Sequence, residues 1–128
     1  MASSISRLMI YVFVFVTLAM IAVLAKLTYD HAMLSIRVAF AEEQTAIFDE
    51  MRAKAVAADP TKAVEYLEYA VNYYPSGSKQ VQGSRLDLVV ERARESSVRE
   101  ILAELRVKTG KDLGDAPHTW IEAYQKGH

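Results

Sequence analysis

The sequence predicts an all-α protein in which a single N-terminal transmembrane helix precedes a small helical-hairpin domain. The segment Leu8–Leu27 is twenty residues long and holds one charged side chain, Lys26. From Met33 onwards, apolar residues recur at steps of three and four, which is the period of an amphipathic helix. No stretch alternates convincingly between apolar and polar residues, so no sheet is predicted.

The apolar segment is predicted to anchor the chain in a membrane. Twenty residues at about 1.5 Å each cover the roughly 30 Å of a bilayer's hydrocarbon core. The competing interpretation is a cleaved secretory signal, with Val23-Leu24-Ala25 as the cleavage point, although the apolar run exceeds the usual signal length. Basic residues bracket the run and tyrosines lie near its ends, so four residues are predicted to lie at the membrane interface. They are Arg7, Tyr11, Lys26 and Tyr29.

Orientation depends on the basic residues that flank the span. Arg7 and the free amine precede it, whereas Lys26 and Arg37 follow among acidic residues that count little. We expect the N-terminus inside and the domain on the extracytoplasmic, periplasmic side. The predicted division is an anchor over 1–29 and a helical domain over 30–128.

The first domain helix is expected to end near Ala58, since the first proline is Pro60 and the first glycine is Gly77. It either continues from the anchor or restarts near Tyr29–His31, where Asp30 could cap it. Helices are expected at about 31–58, 60–74, 84–109 and 117–125. The inner face of the first is Met33, Ile36, Phe40, Ile47, Phe48, Met51, Ala55 and Ala58, with Gln44 in its gap.

The second helix should start at Asp59-Pro60, a capping residue followed by a proline suited to the first helical position. Pro75 stops it, so it forms an antiparallel hairpin with the first helix. Its inner face is Ala63, Val64, Leu67, Ala70, Val71 and Tyr74.

After a polar connector over 75–83, Ser84 is expected to cap the third helix and Gly110 to close it. Leu88 and Leu102 are expected to point away from the main face, and the charged residues to form a solvated surface. That main face is Leu86, Val89, Val90, Ala93, Ser97, Ile101 and Leu105. Asp115 and Pro117 should start a short fourth helix whose apolar face, Trp120, Ile121 and Tyr124, covers the core.

Three tyrosines of the second helix, Tyr66, Tyr69 and Tyr73, are the predicted partner-binding residues and are called the tyrosine stripe below. At the helical step of about 100° per residue, the three project to one side of the helix, away from the aliphatic inner face. Tyrosine offers a large contact area at a small entropy cost, which suits a partner helix or peptide. The alternative is that both faces of this helix are buried within one chain.

The sequence offers no defensible catalytic, cofactor or metal site. It has no cysteine, and His31, His118 and His128 lack ligand spacing. Ser96 and Ser97 have no paired base, and Gly77-Ser78-Lys79 lacks the spacing of a phosphate loop. A net charge of −1 gives no case for nucleic acid. The chain is therefore expected not to be an enzyme; an envelope enzyme would need a pocket that joins His118 with carboxylates.

Two segments resemble known families. The spacing Ala63, Leu67, Ala70 and Pro75 is similar to the second helix of a tetratricopeptide repeat, although Glu50 and Lys54 depart from that family's first helix. The segment 105–120, with Thr-Gly, an acidic residue, glycine, proline and then tryptophan, resembles the closing segment of HEAT-like repeat proteins of planctomycete bacteria. That resemblance implies a structural cap and a bacterial origin, and it implies no activity.

Together these features predict a single-pass membrane protein whose helical domain binds another protein, as an adaptor or accessory subunit. The alternative is a self-associating structural stalk, for which Ala19, Ala22 and Ala25 would allow close packing within the membrane. The expected partners are the bilayer, a protein of unknown identity and a second copy of the chain.

Overall fold

The computed structural model describes residues 2–127, and in this range the chain is all-helical with four helices and no strand. The predicted all-α class is confirmed. The chain divides into two compact units, Met1–Ile36 and Arg37–His128. The helices are α1 (Ala2–Ala57), α2 (Pro60–Asn72), α3 (Arg85–Thr109) and α4 (Pro117–Gln125).

The first unit consists of the N-terminal part of α1. It is long and apolar enough to cross a membrane, and none of its apolar window is buried. A signal sequence passes the same test, so these properties mark a candidate span. The hydroxyl of Thr17 donates to the carbonyl of Phe13 at 2.8 Å, and that of Thr28 to Leu24 at 2.9 Å. Such internal bonds satisfy the polar groups that lipid cannot. No break occurs at Tyr29–His31.

The second unit packs the end of α1 with α2, α3 and α4 around two adjoining apolar clusters. Ala55 shares one cluster with Ala63 of α2, and Phe48 shares the other with Ala70, so α2 runs antiparallel to α1. α3 runs in the same direction as α1, as the successive pairs Arg37 with Gln80, Phe48 with Arg94 and Arg52 with Glu100 show.

The helix ends predicted at Asp59, Ser84 and Gly110 are confirmed. Asp59 accepts from the amide of Lys62 at 3.0 Å, and Ser84 accepts from the amide of Asp87 at 3.2 Å. Gly110 ends α3 with a φ of 65°, a left-handed conformation that glycine adopts without a Cβ penalty. α4 begins at Pro117 as predicted, but Asp115 takes no part in its cap, because the N-cap residue is Ala116 and makes no side-chain cap bond.

The inner faces differ from prediction in three places. Ile36 is 48% exposed because it precedes Arg37, where the connector first meets α1, and Phe40 is 37% exposed although the Lys79 ammonium of the connector lies 4.7 Å from its ring. Val89 is 52% exposed, whereas Leu102, expected to point away from the core, is buried. The third difference is at the end of α2. The helix stops at Asn72, and Tyr74, expected inside, leaves it with a φ of 39° and is 42% exposed.

Candidate functional site

The tyrosine stripe lies beside the aliphatic face of α2 and is partly exposed. Tyr69 is 47% exposed, while Tyr66 and Tyr73 are half-buried against α1. The structure therefore brings the three predicted residues to one surface, yet each has neighbours within the chain. The stripe supports the core on one side and faces solvent on the other, and its role in binding a partner stays a prediction.

Tyr73 is the centre of an aromatic cluster. Its ring stacks on Tyr69 at 5.3 Å between centroids and meets the edge of Phe48 at 5.9 Å and of Tyr74 at 4.6 Å. Such pairs are worth about 0.5–1.5 kcal/mol beyond their buried area. Burial, with Glu43 nearby, raises the pKa of the Tyr73 hydroxyl, so it is neutral at physiological pH. The exposed Tyr69 ring is therefore held on a rigid support.

A groove of about 460 Å³ lies between α1 and α2 beside the stripe. Tyr66 and Tyr69 form one wall. Lys54 lies at the rim with Glu50, and its pKa is raised by the hydrogen bond that it donates to that carboxylate. The remaining lining residues are Ile47, Met51 and Glu65. The groove thus offers apolar walls and a rim of paired charges.

A second depression, of about 350 Å³, adjoins the first at the end of α2 and is lined by Tyr69, Asn72, Tyr73, Tyr74 and Pro75. Behind it, the ammonium group of Lys79 lies 4.2 Å from the centre of the Tyr74 ring and 4.7 Å from that of Phe40. Cation–π contacts of this kind hold the connector against the aromatic cluster. Tyr69 is shared by the two depressions and is the most exposed member of the stripe.

Arg94 holds the end of α2 in place, although the sequence pattern predicted it to lie on a solvated surface. It is 8% exposed, and its guanidinium donates to the carbonyls of Ala70 (2.7 Å), Val71 (3.1 Å) and Tyr74 (2.5 Å). These are carbonyls that a helix end leaves without intrahelical partners. A signal was available: Arg94 stands four residues after Val90 and so lies on the buried face.

Asp87 organises the polar connector. Its buried carboxylate accepts from the hydroxyl of Ser76 (2.6 Å) and the amides of Gly83 (2.9 Å) and Gly77 (3.1 Å). The Ser76 and Gly83 bonds in particular lower the pKa of Asp87, so the carboxylate is charged at neutral pH. The glycine-containing connector therefore binds an internal carboxylate, which explains its amide geometry without a phosphate ligand.

The C-terminal segment is held by α3. Arg106 donates to Asp112 (3.0 Å), to Asp115 (2.6 Å) and to the carbonyl of Gly114 (2.9 Å), which also accepts from the indole of Trp120 (2.9 Å). The pKa of Asp112 is lowered by the amide of Gly114 and by Arg106. These bonds fix the turn that presents Trp120 to the core.

The predicted membrane-interface residues are all exposed on α1. Tyr11 and Tyr29 are 71% and 64% exposed, and Lys26 pairs with Asp30 at 3.3 Å. Apart from this ion pair, none of the four side chains makes a hydrogen bond or an ion pair with another described residue. Their placement at an interface stays a prediction.

Within the described residues, no three histidine, aspartate or glutamate side chains are grouped to hold a metal ion. Ser97 is a buried core residue, and His118 is exposed at the start of α4. His128 lies outside the described residues.

Comparison with protein-family models, with curated proteins and with solved structures finds no match to this chain.

Proposed function

We propose that this chain is a single-pass membrane-anchored interaction module whose helical domain binds another protein, as an adaptor or accessory subunit of a membrane complex. The observation that carries the proposal is the partly exposed tyrosine stripe beside the groove between α1 and α2. Tyr69 is 47% exposed, yet its ring is fixed by the Tyr73 stack. A rigid aromatic side chain loses little entropy on binding.

The groove favours a short apolar segment of a partner, either one side of a helix or an extended peptide. Its walls of Tyr66, Tyr69 and Met51 would accept apolar side chains, and the tyrosine hydroxyls would direct polar groups at their edges. Glu50 pairs with Lys54 and Glu65 pairs with Lys62, so the rim brings no unpaired charge that selects a strongly basic or acidic partner. The proposed role is binding, with no catalytic step.

The proposed location is a membrane crossed once by the N-terminal part of α1, with the domain on the extracytoplasmic side of a bacterial cell. The support is the unburied apolar stretch, its internally bonded threonine hydroxyls and the flanking Arg7 and Lys26. A retained anchor would keep the binding surface close to other membrane proteins.

The membrane topology can be tested by labelling a single cysteine in the natural cysteine-free chain. Lys111 is exposed on the connection after α3, so Lys111→Cys provides a reporter. We expect a membrane-impermeant maleimide to label it in intact spheroplasts, in a product that keeps its full-length mass and pellets with membranes. Labelling only after lysis would place the domain inside, and a product shortened near residue 25 would establish a cleaved signal.

The interaction proposal can be tested by Tyr69→Ala in the tagged full-length chain, purified from native membranes. Because Tyr69 is the most exposed member of the stripe, the fold should tolerate the change. We expect a co-purifying protein to fall by about tenfold or more, as hot-spot tyrosines at interfaces cost about 2 kcal/mol when truncated. Quantitative mass spectrometry of the eluates provides the measurement.

The matched control is Val107→Ala, which removes an apolar side chain that is 78% exposed on α3, away from the stripe. It should leave the co-purifying protein unchanged. Unchanged circular dichroism of both variants must accompany the comparison. If Tyr69→Ala and Val107→Ala recover the same proteins as the unmodified chain, the stripe is not the binding surface.

A further inference from the structure

Three arginines form a straight line along the outer face of α3. Arg85, Arg92 and Arg99 are exposed and stand seven residues apart, so they lie about 10.5 Å apart and drift by only about 20° per step. None has a carboxylate within 4.0 Å among the residues that the structure describes. The fold itself leaves these charges unused. We call them the arginine line.

Most side chains between the arginines on this face are apolar or small; the exception is the exposed Glu95, three residues after Arg92 and four before Arg99. Leu88 and Val89 are 49% and 52% exposed, and Ser96 and Ala103 follow at helical spacing. A line of charges separated by small and apolar residues resembles one side of a helix–helix interface, in which charges flank a contact. This pattern favours a helix with carboxylates at the same seven-residue interval.

Such a helix face is present on α1 of the same chain. Glu42 and Asp49 are exposed and seven residues apart, and we call them the acidic pair. Asp49 has a single nearby cation, Arg52 at 3.6 Å. The residues that alternate with the pair are small or apolar and exposed: Ala46, Ala53 and Val56, the last at 43%. Their small side chains would let another helix approach closely.

The arginine line and the acidic pair do not meet within one chain. α1 and α3 contact each other through other residues, such as Arg52 with Glu100 at 3.1 Å and Lys108 with the carbonyl of Ala58 at 2.6 Å. Asp49 lies beside this contact, since Arg52 pairs with both Asp49 (3.6 Å) and Glu100 (3.1 Å), but within the described residues no ion pair joins the acidic pair to the arginine line. Both sets of charges are therefore available to a second chain.

We propose that a second copy of this chain docks here, with α1 of one copy lying against α3 of its neighbour. Copies anchored in one membrane share an orientation and a height, so this step rests on the proposed anchoring. The pairs Phe48 with Arg94 and Arg52 with Glu100 show which levels of the two helices correspond. By the same correspondence, Glu42 of α1 is level with the part of α3 between Arg85 and Arg92, and Asp49 is level with the part between Arg92 and Arg99. Each carboxylate would thus lie between two guanidinium groups.

This contact is separate from the proposed partner-binding surface. On α1, the groove residues Ile47 and Lys54 lie about 160° and about 140° around the helix from Asp49. A chain could therefore bind its copy and a partner at once. A negative result with Tyr69→Ala would count against partner binding at the stripe and would not affect the proposed contact between copies. A negative result for the contact between copies would likewise not affect partner binding at the stripe.

The test uses disulfide crosslinking between two full-length chains that carry different tags and one cysteine each. Ala53→Cys in one chain and Ala103→Cys in the other lie at nearby levels of the proposed contact. Because each chain has a single cysteine, a mixed disulfide can form only between copies. We expect it to form in native membranes under mild oxidation. Ala53→Cys with Ala123→Cys, on the exposed side of α4, is the matched control and should crosslink at least about fivefold less.

Charge reversal makes the test specific for the proposed pairing. We expect Glu42→Lys with Asp49→Lys in both chains, or Arg92→Glu with Arg99→Glu in both chains, to reduce the mixed disulfide at least about fivefold. Mixing one chain of each kind restores opposite charges and should restore the crosslink. Lys111→Glu with Lys126→Glu changes the net charge by the same amount as the arginine reversal, but elsewhere on the domain, and should have no effect.

Each variant must keep the circular dichroism and the Trp120 emission of the unmodified chain. Should the reversals disturb the fold, Arg92→Gln with Arg99→Gln gives the same comparison with a smaller change, and the unmodified contact should weaken at high salt. A crosslink that is equal in the control pair, insensitive to charge reversal, or not restored by mixing would overturn the proposal.

Discussion

Replacing Trp120 with alanine should lower the free energy of unfolding of the helical domain by about 3–5 kcal/mol. Trp120 is fully buried and packs in the cluster that joins α4 with Ala55, Leu67 and Ile101. Its removal opens a large cavity in a small domain, and it also removes the indole's hydrogen bond to the Gly114 carbonyl (2.9 Å), which then keeps only its bond from Arg106. Small domains are stable by only about 5–15 kcal/mol, so much of the stability would be lost.

Denaturant unfolding of the full-length chain in detergent, followed by far-ultraviolet circular dichroism, gives the measurement. Fluorescence is unsuitable because Trp120 is the sole tryptophan. Trp120→Phe is the matched control: it keeps most of the apolar area and loses the indole hydrogen bond, so it should cost about 1–2 kcal/mol. A Trp120→Ala variant within about 1 kcal/mol of the unmodified chain would contradict the role assigned to α4.

The helix ends could be predicted because their determinants are local. The carboxylate of Asp59 reaches an amide three residues away, and so does the hydroxyl of Ser84. Gly110 needs only its own missing Cβ to take a φ of 65°. Signals of this kind are complete within one turn of helix, so no knowledge of the tertiary fold is required.

The extent of the core along α1 could not be predicted from periodicity. The apolar pattern continues through Ile36 and Phe40 at helical spacing, but burial depends on whether another element lies opposite. The connector meets α1 first at Arg37, so Ile36 stays exposed, while Phe40, 37% exposed, is covered in part by Lys79 of the connector. The sequence does not show where the core begins along α1. The candidate anchor continues directly into a domain helix, and both are apolar, although for different reasons.

The position of the tyrosine stripe could be predicted from the sequence, but the residues that support it could not. Helical angles separated the tyrosine stripe from the aliphatic face, and the structure keeps Tyr69 exposed. The support behind it could not be derived in the same way, since Phe48 comes from α1 and Lys79 from the connector. Contacts between residues this far apart along the chain depend on helix packing, which one-dimensional spacing does not determine.

Arg94→Leu is expected to lower the free energy of unfolding by about 3 kcal/mol or more. Leucine fills much of the volume but leaves the carbonyls of Ala70, Val71 and Tyr74 without the donor that the guanidinium supplies. An unpaired buried carbonyl costs about 1–3 kcal/mol, and part of this is recovered if the end of α2 opens to water. Arg94→Lys should show part of this loss of stability, because an ammonium group cannot match the fork geometry of the guanidinium donors.

Trp120 emission during denaturant unfolding measures this effect, since the residue is buried and distant in sequence from the change. The matched control is Glu91→Gln, which removes the partly exposed carboxylate that pairs with Arg94 at 3.2 Å but leaves the three carbonyl bonds intact. It should cost less than about 1 kcal/mol. Equal losses for Glu91→Gln and Arg94→Leu would mean that the ion pair, and not the binding of helix-end carbonyls, holds α2.

The same residue links the fold to the candidate site. Arg94 binds the carbonyl of Tyr74, whose backbone has a φ of 39°, a conformation that costs a non-glycine residue about 1–2 kcal/mol. Without the guanidinium, Tyr74 keeps its ring contacts with Lys79 and Tyr73 but loses the bond that holds its carbonyl, and the depression beside Tyr69 should change shape. Arg94→Lys is therefore expected to weaken partner capture while the domain is still folded. Capture at the unmodified level by a folded Arg94→Lys chain would separate the binding surface from the end of α2.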